Sequence, residues 1–132
     1  MNSMYFEDFD IGLVINTEPK KITKKEIIKF AKSYDPQAFH VDEKLAKKGP
    51  FGRLVSSGFM TLGKSFTQFF ETGIINDTGM GAWGIDELRW TNPVYPNDVL
   101  STKVKVLEKK LSSKNPSKGT IRTLQTVSNQ DG

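Results

Sequence analysis

The sequence predicts an α+β domain in which one long apolar helix lies on a mainly antiparallel sheet. Three observations carry this. Between Ser57 and Gly73 the apolar residues Phe59, Met60, Leu62, Phe66, Phe69 and Phe70 recur at steps of three and four. After Gly81 the chain alternates apolar and polar residues in three separate runs. A chain of 132 residues favours one domain with a modest core, spanning residues 1–132.

The elements follow in order. Tyr5-Phe6-Glu7-Asp8-Phe9 reads as a loop leading into a first strand over Gly12–Thr17, which Pro19 closes. Thr23 followed by Glu26 is the reciprocal capping pattern of a helix start. Ile22, Ile27, Ile28, Phe30 and Ala31 give that helix an apolar face, and Pro36 pushes Asp35 out of helical geometry, so the helix should stop near Tyr34. Residues 36–56 hold few regular runs, with a short helical turn over Asp42–Lys47 and turn chemistry at Gly49-Pro50-Phe51-Gly52. Ser56 or Ser57 caps the long helix, about 57–72, and Gly73 ends it. Its wide apolar surface predicts that it is largely buried. Strands are expected over Trp83–Trp90, Val99–Lys109 and Thr120–Val127, with turns at Pro93–Asp98 and Ser112–Gly119. Asn129-Gln130-Asp131-Gly132 is a hairpin signal that predicts one more strand after it.

Composition narrows the function. Hydrophobic residues make up 36% and charged residues 26%, as in an ordinary globular chain. The absence of cysteine removes disulfides, thiolate metal sites and a cysteine nucleophile, and fits a reducing compartment. No apolar run approaches the ~18 residues of a membrane span. The stretch Met1–Asp10 is acidic and aromatic, unlike a secretory signal, so a cytoplasmic setting is expected. A net charge of +4 suits solubility, a phosphorylated small ligand or, least of all, nucleic acid, for which no module signature is present.

His40 is the only histidine, five positions after Asp35 across a proline break. A carboxylate and a neutral imidazole turned toward one point can position and deprotonate a water. The competing reading is structural: Asp before Pro is a common turn former, and a histidine between Phe39 and Val41 can fill a half-buried site. Ser57-Gly58 is open in the same way. Serine caps a helix and glycine permits close packing, yet the Gly58 amide opens the first turn of an apolar helix. Such amides lack intrahelical acceptors and can hold a developing oxyanion.

These residues resemble a known family. Asp35-Pro36-Gln37-Ala38-Phe39-His40 is similar to the hydratase motif of MaoC-like acyl dehydratases, the (R)-specific enoyl-CoA hydratase group. That motif usually reads Asp, any residue, Asn, Pro, any residue, His. Gly49 to Gly58 resembles the segment before the family's central helix. Gly84-Ile85-Asp86-Glu87-Leu88-Arg89-Trp90 with Pro93 to Asp98 resembles its strand-turn-strand signature, and Tyr5 to Phe9 matches as well. The resemblance covers nearly the whole chain in order. It implies the hotdog fold, a curved antiparallel sheet wrapped around the central helix. It also implies a homodimer or higher homo-oligomer, and acyl-CoA held in a tunnel near the interface. Asp35 and His40 then take the catalytic positions and Gly58 the position whose amide holds the thioester oxygen, with Ser57 beside it. The CoA thioester is substrate, and neither metal nor cofactor is called for. The sequence departs at Gln37-Ala38, at Ser57, where hydratases often have His, and at Phe66, near a helix serine that assists in some members. The family's last strand has no counterpart, so the sheet is expected to lack it and the chain to be truncated at its C-terminus.

The activity implied is reversible addition of water to a trans-2-enoyl-CoA, giving an (R)-3-hydroxyacyl-CoA. A thioesterase on the same fold and a non-catalytic acyl-CoA-binding subunit are the alternatives, since function follows the site and not the fold. No membrane partner is expected.

Overall fold

A computed structural model describes residues 2–132; Met1, the first residue of the acidic, aromatic opening stretch, lies outside them. The chain divides into two compact units. The first unit comprises the residues up to Glu18, Ser65–Trp83 and Ser101–Ser128. After a 3-10 turn at Phe6–Asp8, strand β1 (Val14–Asn16) pairs antiparallel with β3 (Val99–Leu111), placing Ile15 opposite Val104. On its other side β3 pairs antiparallel with β4 (Gly119–Ser128), from Ser101 opposite Ser128 to Leu111 opposite Gly119. Strict alternation along β3 buries Leu100, Thr102, Val104 and Val106 until a register shift between Val106 and Glu108 interrupts it. Phe9, Ile15, Phe69, Ile74, Val104 and Val106 form the core of this unit.

The second unit comprises Pro19–Lys64, Gly84–Leu100 and Asn129–Gly132. Strand β2 (Lys20–Lys21) pairs with the start of β3, Lys20 opposite Leu100. Helix α1 (Lys24–Tyr34) opens as expected: the Thr23 hydroxyl accepts from the Glu26 amide at 3.1 Å, and the Glu26 carboxylate accepts from the Thr23 amide at 2.9 Å. Two short helices follow, α2 (Ala38–Val41) and α3 (Glu43–Lys47), with the Asp42 carboxylate capping α3 through the amides of Lys44 and Leu45. The Tyr95-Pro96-Asn97-Asp98 turn closes through the Asp98 amide to the Tyr95 carbonyl at 3.1 Å. Asn97 has φ 72°, so proline and then a left-handed asparagine occupy the central positions, the signature of a type II turn. This turn hands Ile22 two backbone hydrogen bonds, from its amide to Asp98 and from the Asn97 amide to its carbonyl.

The long helix α4 runs Gly58–Glu71, with Gly73 at φ 82° ending it. Ser57, one of the two cap residues the sequence offers, precedes its first turn, its hydroxyl accepting from the Phe59 amide. Burial of α4 is one-sided: Met60, Ser65, Gln68 and Phe69 are buried, whereas Phe59, Phe66 and Phe70 are about half exposed. The strand expected over Trp83–Trp90 is not formed, and every residue from Gly81 to Pro93 is exposed. Alternation marks which residues could share a face; a strand also needs a neighbour to take its backbone hydrogen bonds, and none pairs with this run among the described residues. Strand β2 and helix α2 escaped the sequence reading because each is too short to show a period. The turn at the end of the sequence forms, with the Gly132 amide donating to the Asn129 carbonyl at 3.2 Å. No described helix is long and apolar enough to cross a membrane.

Candidate functional site

Asp35 is set by the end of α1. Its amide still donates to the Ala31 carbonyl, but its own φ of −158° and ψ of 70° leave the helix, as the following proline requires. A tight bend follows, with the Gln37 amide donating to the Asp35 carbonyl at 2.8 Å, and α2 then carries His40 back. The result is a carboxylate and an imidazole facing each other, Asp35 Oδ2 lying 3.3 Å from His40 Nε2. His40 is 6% exposed and Asp35 is partly buried.

The other ring nitrogen decides the chemistry. His40 Nδ1 lies 2.6 Å from the Val55 carbonyl oxygen. A carbonyl can only accept, so Nδ1 carries the hydrogen, an assignment made from the hydrogen-bond network. In the neutral ring Nε2 is then the acceptor, and it is the nitrogen beside Asp35. The Val55 carbonyl is itself fixed. The Val55 amide donates to the Phe39 carbonyl at 3.1 Å and the next amide, Ser56, to the Val94 carbonyl at 2.8 Å. The Phe39 ring stands edge-on to His40 at 4.6 Å between centroids.

Asp35 is held as firmly. The Ser57 hydroxyl donates to its Oδ2 at 2.7 Å and the Gln37 amide nitrogen to its Oδ1 at 2.8 Å. Burial pushes the carboxyl upward; the hydrogen bonds from Gln37 and Ser57, joined by the charge of His40 when its ring is protonated, outweigh that and hold it below its ordinary value. The same Ser57 hydroxyl accepts from the Phe59 amide at 3.3 Å, tying the carboxylate to the first turn of α4. The neighbouring amide of Gly58 makes no hydrogen bond among the described residues. The site therefore brings a carboxylate and an imidazole together, and the residue after Ser57 in the chain carries a first-turn amide without a hydrogen-bond partner among the described residues.

Of the four residues singled out in the sequence, Ser57 is hydrogen-bonded to Asp35, His40 lies 3.3 Å from the same carboxylate, and Gly58 follows Ser57 in the chain. Three contributors were missed. Gln37 stands where the motif has another residue. The Val55 carbonyl is backbone and leaves no trace in sequence. Trp90 ends the run whose alternation predicts a strand. Its indole lies against the Cα of Gly58, so close that a Cβ there would overlap the ring, and it meets the Phe59 ring edge-on at 5.2 Å. Among the described residues, no group of three His, Cys, Asp or Glu side chains could hold a metal ion.

Residues 8–129 match the family described as MaoC like domain. Over 106 residues the chain is 40% identical to the uncharacterized protein YdeM of Bacillus subtilis (strain 168), a stretch that takes in 80% of this chain and 75% of that one. Over 107 residues it is 31% identical to the 3-hydroxybutyryl-CoA dehydratase of Methylorubrum extorquens, covering 80% of this chain and 65% of the relative. The crystal structure of the MaoC-like dehydratase from Rhodospirillum rubrum superposes with a TM-score of 0.91 at 29% identity, over 98% of this chain and 88% of that one.

Proposed function

The chain belongs to the MaoC-like domain family and has the hotdog fold, and on that premise we propose that it catalyses reversible hydration of a trans-2-enoyl-CoA to an (R)-3-hydroxyacyl-CoA. The observation that carries this is the contact of Asp35 Oδ2 with His40 Nε2 at 3.3 Å, joined through Ser57 to the start of α4. The relationship to a 3-hydroxybutyryl-CoA dehydratase supports the same reaction class.

The Gly58 amide donates to the thioester oxygen and draws electron density from the β-carbon. A water beside Asp35 and His40 gives a proton to Nε2, the one free acceptor on the ring, while the ionised Asp35 stabilises the imidazolium formed. The hydroxide adds to the β-carbon as the C=C π bond breaks. The proton then passes to the α-carbon, and the pair returns to its starting state. One well-aimed oxyanion donor contributes about 3–4 kcal/mol, and a positioned base ~10²–10⁴ in rate. The same reading carries a homodimer acting on coenzyme A thioesters in the cytoplasm.

Incubation with crotonyl-CoA tests it. Loss of the enoyl absorbance without release of free thiol is the expected result. Thiol release with the enoyl chromophore intact would instead make the protein a thioesterase, and tight binding with neither change would make it a binding subunit.

A further inference from the structure

A cavity of about 330 Å³ lies in the unit that carries the site, lined in part by Lys24, Glu43, Lys47, Arg53, Leu54 and Asn97. Three cations and one carboxylate among these residues leave an excess of two positive charges, 3 − 1 = +2. Lys24 is matched by Glu43 at 3.0 Å. Neither Lys47 nor Arg53 lies within ion-pair distance of a carboxylate among the described residues. The Arg53 guanidinium instead lies 3.9 Å over the Tyr95 ring centroid, which fixes its plane and leaves its N–H fork for another acceptor. Lys47 also acts on Glu43, whose carboxyl Lys24 and, less strongly, Lys47 hold below its ordinary value, yet the lining keeps its positive excess, and a fixed guanidinium with ammonium groups on the same cavity suits phosphate oxygens.

The cavity is also next to the acid–base pair along the chain. Leu54 lines it, and Val55, the next residue, gives its carbonyl to His40. From Arg53 to Ser57 four residues span at most ~14 Å, a distance that an extended pantetheine arm covers between a thioester and its diphosphate.

We propose that this cavity holds the diphosphate of the coenzyme A portion of the substrate, with Arg53 and Lys47 as its principal anion ligands. The proposal rests on the acyl-CoA reading above and adds where the carrier is gripped. It makes coenzyme A the carrier.

The test compares the full chain with Lys47→Ala, Arg53→Gln and the double variant, using crotonyl-CoA and crotonyl-pantetheine, which lacks the nucleotide. The KM for crotonyl-CoA should rise roughly tenfold or more for each charge-assisted hydrogen bond lost. The kcat should hold, and crotonyl-pantetheine kinetics should not change. An equal loss on both thioesters, or an unchanged KM, overturns the proposal, as does a wild-type protein that prefers a crotonyl-loaded acyl carrier protein. Should no thioester be hydrated, the functional reading fails, yet calorimetry with free coenzyme A still decides the cavity. Binding by the wild type and not by the double variant upholds it, and equal affinity, or no binding by either, overturns it. Lys47 is exposed in the last turn of α3, so Lys47→Ala carries the test alone if loss of the Tyr95 stack unfolds Arg53→Gln.

Discussion

At the scale of single residues, the chemistry turns on which atoms of His40 and Asp35 are already occupied. The Val55 carbonyl fixes the ring tautomer, and Ser57 and Gln37 hold the carboxylate ionised, so proton exchange falls to Nε2. A pH consequence follows. The carboxyl of Asp35 lies below its ordinary 3.8 in the folded protein, so the unfolded chain binds the proton more readily. Its contribution to stability is complete above that ordinary value and is lost as the pH falls through the depressed one. Thermal melts of the wild type should show an acid limb near and below pH ~4, and Asp35→Asn should flatten it; an unchanged limb would show that the carboxylate is not held this way. Gly58 carries a second prediction. Gly58→Ala should lose stability because its methyl group meets Trp90, and Trp90→Ala should relieve that loss. Denaturant melts of the two single variants and the double should give a coupling of about 0.5–3 kcal/mol; strictly additive losses would show that the ring moves aside without cost. That Asp35 and His40 could face each other was legible from their spacing across Pro36, and the resemblance singled out Ser57 and Gly58 beside them. The Val55 carbonyl was not legible, because a backbone acceptor looks the same at every position.

Among the elements, legibility followed local chemistry. Helix α1 was readable at both ends, from Thr23 with Glu26 at its start and Asp35-Pro36 at its stop, because capping is decided within four residues. Thr23→Ala should destabilise the protein by about 1 kcal/mol in a denaturant melt. A loss near zero would mean that the 2.7 Å ion pair between Glu26 and Lys64 of α4 sets the helix start by itself. Elements decided by distant partners were less readable. Strand β2 exists only because Lys20 and Lys21 meet Val99 and Leu100. The Trp83–Trp90 run has the strand pattern but no ladder, and its ring at position 90 packs on the start of α4 instead. The half-exposed Phe59, Phe66 and Phe70 belong with these: a helical period tells which residues share a face and not what covers it.

For the whole molecule, the α+β class and the β3–β4 hairpin were within reach of the sequence, since the alternation over Val99–Lys109 and Thr120–Val127 is strong and one local turn joins the two strands. The division of the chain into two compact units was not, because each is assembled from three separate stretches of sequence. The moderate charge of +4 also takes on a place: part of it lines one cavity beside the segment that fixes His40. The most direct test of the central claim is the rate of crotonyl-CoA hydration by Asp35→Asn, measured beside its melting curve. The account predicts a cooperatively folded protein whose rate falls about 100-fold or more. A folded Asp35→Asn protein that hydrates crotonyl-CoA at the wild-type rate would contradict it.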